Sequence, residues 1–187
     1  DMEHPGLVVF PTHRLVRDLP NFDKEAVLEK CSEFFYIDEK EGTDTMEDDL
    51  KKLYDEGKKA FGFYCGKGEW FLLTLKNIDI MSQMLPDVSK ASQSLDVSVL
   101  HTLILEKIFG IDKENMAKQI NLTYTKFFTE AIDGVDKGEF QCSFVLNPTR
   151  VTEIRDVAAA GEKMPQKSTY FYPKMITGMV MNNLGVD

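Results

Sequence analysis

The sequence predicts an α+β fold, a mixed β-sheet with helices packed on it and βαβ-like units in the C-terminal half. Three observations predict it. Apolar runs of strand length, rich in β-branched and aromatic residues, recur at 7–10, 60–65, 69–75 and 141–146. Segments with apolar residues at helical spacing lie between them. Over 120–146 the order is strand, helix, strand. The 187 residues fit one domain, 1–187, and a chain of that length can bury about 70% of its unfolded surface.

Residues 7–10 read as a short buried strand stopped by Pro11, with Thr12, His13 and Arg14 following where the backbone leaves the sheet. Asp23 is placed to cap a helix reaching Phe34, with Ala26, Val27, Cys31 and Phe34 on one face; a brief strand follows at 35–37. Asp44 or Thr45 opens a helix through Lys58 whose inward stripe is Met46, Leu50, Leu53 and Tyr54. Residues 60–65 and 69–75 form a hairpin around Gly66-Lys67-Gly68, which puts Trp70 and Phe71 on opposite faces. A short helix at 77–85 ends at Pro86, and the polar loop 87–94 marks a candidate lid, with a sub-lobe boundary near 86–95. The best helix spans 95–110, with Asp96 as N-cap and Gly110 as its stop. Then come a strand at 120–125, a helix at 127–135, a strand at 141–146, a helix at 150–160 behind Asn147-Pro148-Thr149, an aromatic strand at 169–172 and a last apolar run at 175–181.

Charge and cysteine usage exclude whole classes. Lys and Arg number 22 against 31 Asp and Glu, a net charge of −9, so a general nucleic-acid binder is not expected and DNA is not a predicted partner. Residues 23–60 hold 13 acidic and 7 basic side chains, which reads as a solvated helix face. Cys31, Cys65 and Cys142 are odd in number and widely spaced, as in a reducing compartment. No apolar stretch reaches the length of a membrane span, so the prediction is a cytoplasmic protein without membrane contact. P-loop, Rossmann, zincin and nucleophile-elbow motifs are all missing, and the scattered His and Cys predict no metal site.

Two constellations could carry chemistry. In Thr12-His13-Arg14 a hydroxyl, an imidazole and a guanidinium stand in three consecutive positions, a set able to bind an anion and move a proton. Against it stands a polar strand exit whose histidine caps a carbonyl. In the segment from Lys167 to Lys174, two lysines bracket Ser168, Thr169 and three aromatics, enough to hold a phosphate; the alternative is an edge strand with solvated lysines. Residues 150–174 carry five basic and three acidic side chains, so the acidic chain turns basic there. His101, inside an apolar helix, reads as a core or interhelix histidine. The abrupt start, with Asp1 rather than Met, fits an excised piece of a longer polypeptide or a processed terminus.

The run Met164-Pro165-Gln166-Lys167-Ser168-Thr169-Tyr170-Phe171-Tyr172-Pro173-Lys174, followed by Thr177-Gly178, closely resembles the C-terminal signature of the bacterial and archaeal family called domain of unknown function 1015. Pro11-Thr12-His13-Arg14, Leu95-Asp96-Val97-Ser98-Val99-Leu100-His101, Leu105-Glu106-Lys107-Ile108, Tyr124-Thr125 and Leu146-Asn147-Pro148-Thr149 resemble its other motifs in the family's order. The resemblance implies a relation to ParB and to serine kinases, and thus an ATP-dependent cytosolic kinase of free L-serine making O-phosphoserine, with ATP and Mg²⁺ as cofactors. A Gly-His-His-Arg-type phosphate motif of such proteins is absent from this chain. The chain is therefore expected to be a C-terminal half whose partner is the missing N-terminal half, and independent catalysis is in doubt. Under this resemblance Arg14 and Lys174 pair with phosphate oxygens, Thr12, Ser168 and Thr169 donate hydrogen bonds, Lys167 adds charge, and His13 orients or deprotonates the substrate hydroxyl. Two other readings stand beside it: a ParB-like nucleotide-sensing module without catalysis, and an interaction lobe that forms a homodimer.

Overall fold

The computed structural model describes residues 8–172. Lys174 and the apolar run at 175–181 lie outside the described residues. The elements are β1 (Val8–Phe10), β2 (His13–Val16), α1 (Lys24–Cys31), β3 (Phe35–Glu41), α2 (Met46–Asp55), β4 (Ala60–Gly66), β5 (Glu69–Leu75), α3 (Ile80–Met84), α4 (Lys90–Gln93) and α5 (Asp96–Val99). A π-helical segment, Leu100–Glu106, continues α5, and α6 (Lys113–Lys118), β6 (Leu122–Thr125), α7 (Phe128–Asp136), β7 (Cys142–Val145), α8 (Val151–Ala159) and β8 (Tyr170–Tyr172) complete the chain. The main sheet has six strands in the order β3-β5-β4-β7-β2-β6, and β1 pairs with β8 in a separate two-stranded sheet.

The α+β class holds, and each pair of neighbouring strands is antiparallel. β6 and β7 both pair with β2 and so run parallel to one another, with α7 as their connection. The predicted βαβ-like unit is therefore real but split, since a strand from the start of the chain is inserted between its two strands.

Strand alternation sorts side chains into two cores. On one face, Val16, Phe63, Phe71 and Phe144 pack with α1, α3, α5, α6 and the π-helical segment; Phe63 and Phe144 stack with centroids 4.9 Å apart. On the other face, Trp70, Tyr64 and Val145 pack with α2 and α7. Trp70 and Phe71 thus separate as the hairpin pattern requires, and Trp70 Nε1 donates to the Gly42 carbonyl at 2.8 Å. The hairpin closes through Lys67 and Gly68, both at positive φ, between the paired Gly66 and Glu69. This is the two-residue turn whose twist matches the strands.

Four expectations are corrected. β1 is not a buried strand: Val8 is 45% exposed, because β1 belongs to the small β1–β8 sheet. His13 and Arg14 do not mark a strand exit but begin β2, an inner strand of the main sheet between β7 and the edge strand β6, and both are buried. β3 runs to Glu41, paired along its whole length with β5. Asp96 does not cap its helix. Leu95 holds the cap position, and the Asp96 carboxylate turns to Lys59 at 2.9 Å.

Gly134 shows how tightly α7 lies on the sheet. A Cβ there would sit 2.9 Å from Phe140 Cδ2 and 3.0 Å from Leu15 Cδ2. Alanine is the better helix former by up to about 1 kcal/mol, but the overlap costs more. Gly134→Ala is expected to lower stability by about 1–3 kcal/mol, read as a lower urea midpoint at unchanged slope.

Candidate functional site

The site is built around Arg14. Strand alternation puts Arg14 on the face of β2 that carries Val16, against the π-helical segment, and leaves it fully buried. Its Nη1 donates to the Thr12 Oγ1 at 2.6 Å and to the Thr12 carbonyl. Its Nη2 donates to the Lys167 carbonyl at 3.1 Å and meets His101 Nε2 at 3.1 Å. The guanidinium lies 5.1 Å from the centroid of the Tyr124 ring. Its hydrogen-bond partners among the described residues are all neutral, and Nε is left without one. A buried cation without a carboxylate is costly. Burial brings the Arg14 pKa down to about 10, with Tyr124 acting weakly the other way.

Because Arg14 has only donors, His101 Nε2 must accept, so the His101 proton sits on Nδ1. Burial first, and the Arg14 charge second, hold the His101 pKa well below its ordinary value. His101 is therefore a neutral donor of fixed tautomer.

His101 and Tyr124 separate Arg14 from a cleft of about 590 Å³, large enough for a small metabolite or a nucleotide. Its walls also include Thr102, Glu106, Lys113, and Gln166 from the stretch before Lys167. Glu162 fastens this stretch across the cleft: its carboxylate accepts from Ser89 N and Ser89 Oγ, each at 2.7 Å, and from Ser92 Oγ. The loop read as a candidate lid is thus tied to the segment that carries Lys167.

The π-helical segment decides which side chains reach this cleft. Its hydrogen bonds span five residues, as in Lys107 N to Thr102 O at 3.2 Å. The wider turn of a π-helix brings His101 and Glu106 closer to one face than the 3.6-residue turn of an α-helix would, and both line the cleft.

The two sequence constellations do meet. Thr12 Oγ1 donates to the Lys167 carbonyl at 2.6 Å, beside the Arg14 bond to the same oxygen. Lys167 is held at φ 55° and contributes its main chain to this contact, while its side chain lies at the exposed surface. Ser168 is buried and accepts from Thr149 Oγ1 at 2.9 Å; Thr169 follows, half-buried, at the start of β8. His13 is not part of the cluster. It lies on the opposite face of β2, where its Nδ1 accepts from Leu146 N at 3.2 Å and its Nε2 is unpartnered. Burial and then Arg14 lower its pKa to about 4. With its acceptor nitrogen engaged and its ring turned from the cleft, His13 is not placed to take a proton there, and the role expected for it is corrected accordingly.

Sequence reasoning passed over Tyr124, Glu106 and Lys113 and read His101 as core. Tyr124 and Glu106 do lie in motif blocks quoted above; the π-helical register that exposes Glu106 has no sequence signal. No three His, Cys, Asp or Glu side chains gather to form a metal site among the described residues.

An antiparallel six-stranded sheet, helices on both faces and a ligand-sized cleft backed by a buried arginine define an α+β protein with one candidate binding site. The chain belongs to the family described as protein of unknown function (DUF1015), whose profile matches residues 1–98. None of the curated proteins matches it. Among solved structures it is similar to a free serine kinase in complex with AMP, with 17% identity and a TM-score of 0.50 over 91% of this chain and 56% of that one. A mutant of a free serine kinase in complex with ADP gives 14% identity and a TM-score of 0.50 over the same shares. A conserved hypothetical protein from Pyrococcus furiosus gives 18% identity and a TM-score of 0.49 over 91% and 58%. At these identities the likeness is one of fold. The chain spans little more than half the length of the structures it matches.

Proposed function

We propose that this chain is the C-terminal portion of an ATP-dependent kinase of a small hydroxylated metabolite, free L-serine being the substrate that the family resemblance implies. The supporting observation is convergence: side chains or carbonyls from five motif blocks far apart in sequence, around Thr12, His101, Tyr124, Thr149 and Lys167, form one linked cluster with Arg14 beside the cleft. A buried guanidinium without a carboxylate partner leaves a positive field behind the His101 and Tyr124 wall, and that field favours an anion in the cleft.

Phosphoryl transfer needs little from a protein beyond placement and charge neutralisation. In this reading the phosphate lies at the His101 and Tyr124 wall, within the field of Arg14. Thr12 and the Lys167 carbonyl hold the guanidinium in place, and Ser168 and Thr169 keep the segment in register with Thr149. Lys167 and Lys174 supply point charges. The bond from the γ-phosphorus to the bridging oxygen breaks, a new one forms to the substrate hydroxyl, and the hydroxyl proton is released. Mg²⁺ supplies charge neutralisation when bound with ATP; no residue of this chain is assigned to hold it. The rest of the active site falls to the remainder of a longer polypeptide, in the cytoplasm, where three free thiols are at home. A ParB-like nucleotide-sensing module without catalysis would use the same cleft and is separated from a kinase by turnover.

The test is serine-dependent conversion of ATP to ADP by the full-length protein, with O-phosphoserine identified as product. Lys174→Ala is expected to lower kcat/KM by about 10–100-fold, the worth of one charged contact. Absence of O-phosphoserine from the wild-type reaction overturns the kinase assignment.

A further inference from the structure

The end of the cleft away from Arg14 carries charge that nothing in the fold explains. Glu106 is half-buried, and its carboxylate has no hydrogen-bond or ion-pair partner among the described residues. Lys113, from the first turn of α6, lines the same cavity and is likewise unpaired among the described residues. The two do not pair with each other, yet they are near enough for the Lys113 charge to act on Glu106. Burial raises the Glu106 pKa, Lys113 lowers it, and Asp112 raises it. Two further carboxylates and a second lysine line the cavity: Glu162 is consumed by Ser89 and Ser92, while Asp87 and Lys163, like Lys113, are exposed, so Glu106 is the one carboxylate there that is both half-buried and unpaired among the described residues. A carboxylate and an ammonium that face one cavity without touching leave room for a ligand that presents both opposite charges.

Spacing adds to this. Glu106 lies five residues beyond His101 on the π-helical segment, and both line the same cavity. We propose that Glu106 and Lys113 are the specificity-determining residues for the substrate, Glu106 accepting from the α-ammonium and Lys113 pairing with the α-carboxylate of a small free β-hydroxy amino acid. The inference rests on reading the cleft as a small-molecule kinase site, and it assigns the recognition end that this reading leaves open.

The test is calorimetric binding to the full-length protein with three probes: L-serine, 3-hydroxypropionate, which lacks the ammonium, and ethanolamine, which lacks the carboxylate. Glu106→Gln, nearly isosteric and at a half-exposed position, is expected to weaken L-serine about 10–100-fold and leave 3-hydroxypropionate within twofold. Lys113→Met is expected to weaken L-serine similarly and leave ethanolamine within twofold. The KM for ATP stays unchanged in both. A Glu106→Gln variant that binds L-serine like wild type, or that loses L-serine and 3-hydroxypropionate equally, overturns the assignment. Binding that follows this pattern in a protein that makes no O-phosphoserine would sink the kinase reading and leave the subsite standing. Turnover with charge-blind binding would do the reverse.

Discussion

Arg14→Gln is expected to lower kcat/KM for the phosphoryl donor about 10–100-fold, the scale of losing one charge that acts on the phosphate through the cleft wall and not in contact with it. Arg14 spends four donor contacts on Thr12, His101 and Lys167, and all of them hold the wall of the cleft rather than its interior. It is therefore a positioning residue whose charge acts across His101 and Tyr124. Arg14→Lys keeps the charge but cannot span the same partners with three donors on one nitrogen, so it should recover only part of the loss. A readout that simple destabilisation would not move is the His101 ring, followed by NMR from pH 5 to 8. In the wild type burial and then Arg14 depress its pKa, so the ring takes its proton only below the ordinary histidine range. In Arg14→Gln the second cause is gone and its pKa rises. Equal turnover in Arg14→Gln and wild type would remove Arg14 from the site altogether.

The same arginine shows what the sequence made legible and what it hid. Residue type alone marks Thr12-His13-Arg14 as a set able to bind an anion, and the structure brings two of its members, Thr12 and Arg14, to the Lys167 carbonyl. His13 does not join them, because a strand exit would let three consecutive polar residues point the same way whereas these residues open a strand. In a strand the side-chain period is two, so His13 and Arg14 necessarily face opposite sides of the sheet. The hairpin at Gly66 and the split of Trp70 from Phe71 were legible because they depend on that same short period and on a turn with glycine at positive φ. The inserted position of β2 was not, since a pairing with β6 and β7, more than a hundred residues away, leaves no local trace. α6 was passed over as well: Met116 is its single buried residue, too little for an apolar stripe.

The largest expected stability change lies away from the cleft, at Lys59. Its Nζ sits 2.9 Å from Asp96 Oδ1 and 2.9 Å from Glu153 Oε1, joining the residue before β4 to the first turns of α5 and α8. All three side chains are at most 20% exposed. Glu153 also accepts from Arg150 N at 2.9 Å, whereas the Asp96 carboxylate has Lys59 as its only partner among the described residues. Burial raises the Asp96 pKa despite the opposing pull of Lys59. At Lys59 burial works against the charge, but Asp96 and Glu153 outweigh it and the pKa is raised. Lys59→Met removes the cation and leaves two carboxylates facing each other in a partly dry site, which is expected to cost about 3–5 kcal/mol at pH 7. The sign with pH follows from these shifts. In the wild type, the part contributed by Lys59 is fully present below pH 10.5 and is lost as pH rises through its higher folded value. In Lys59→Met, Asp96 is lifted further above its unfolded pKa of 3.8, so the deficit shrinks as pH falls through that raised folded value and the carboxylate takes a proton. Asp96→Asn added to Lys59→Met supplies the same relief at pH 7 by removing the charge outright, and should restore more than half of the loss in urea unfolding. A deficit in Lys59→Met that is equally large at pH 4 and pH 7, and unchanged by Asp96→Asn, would mean that the loss is one of packing around the lysine stem and not of unpaired charge.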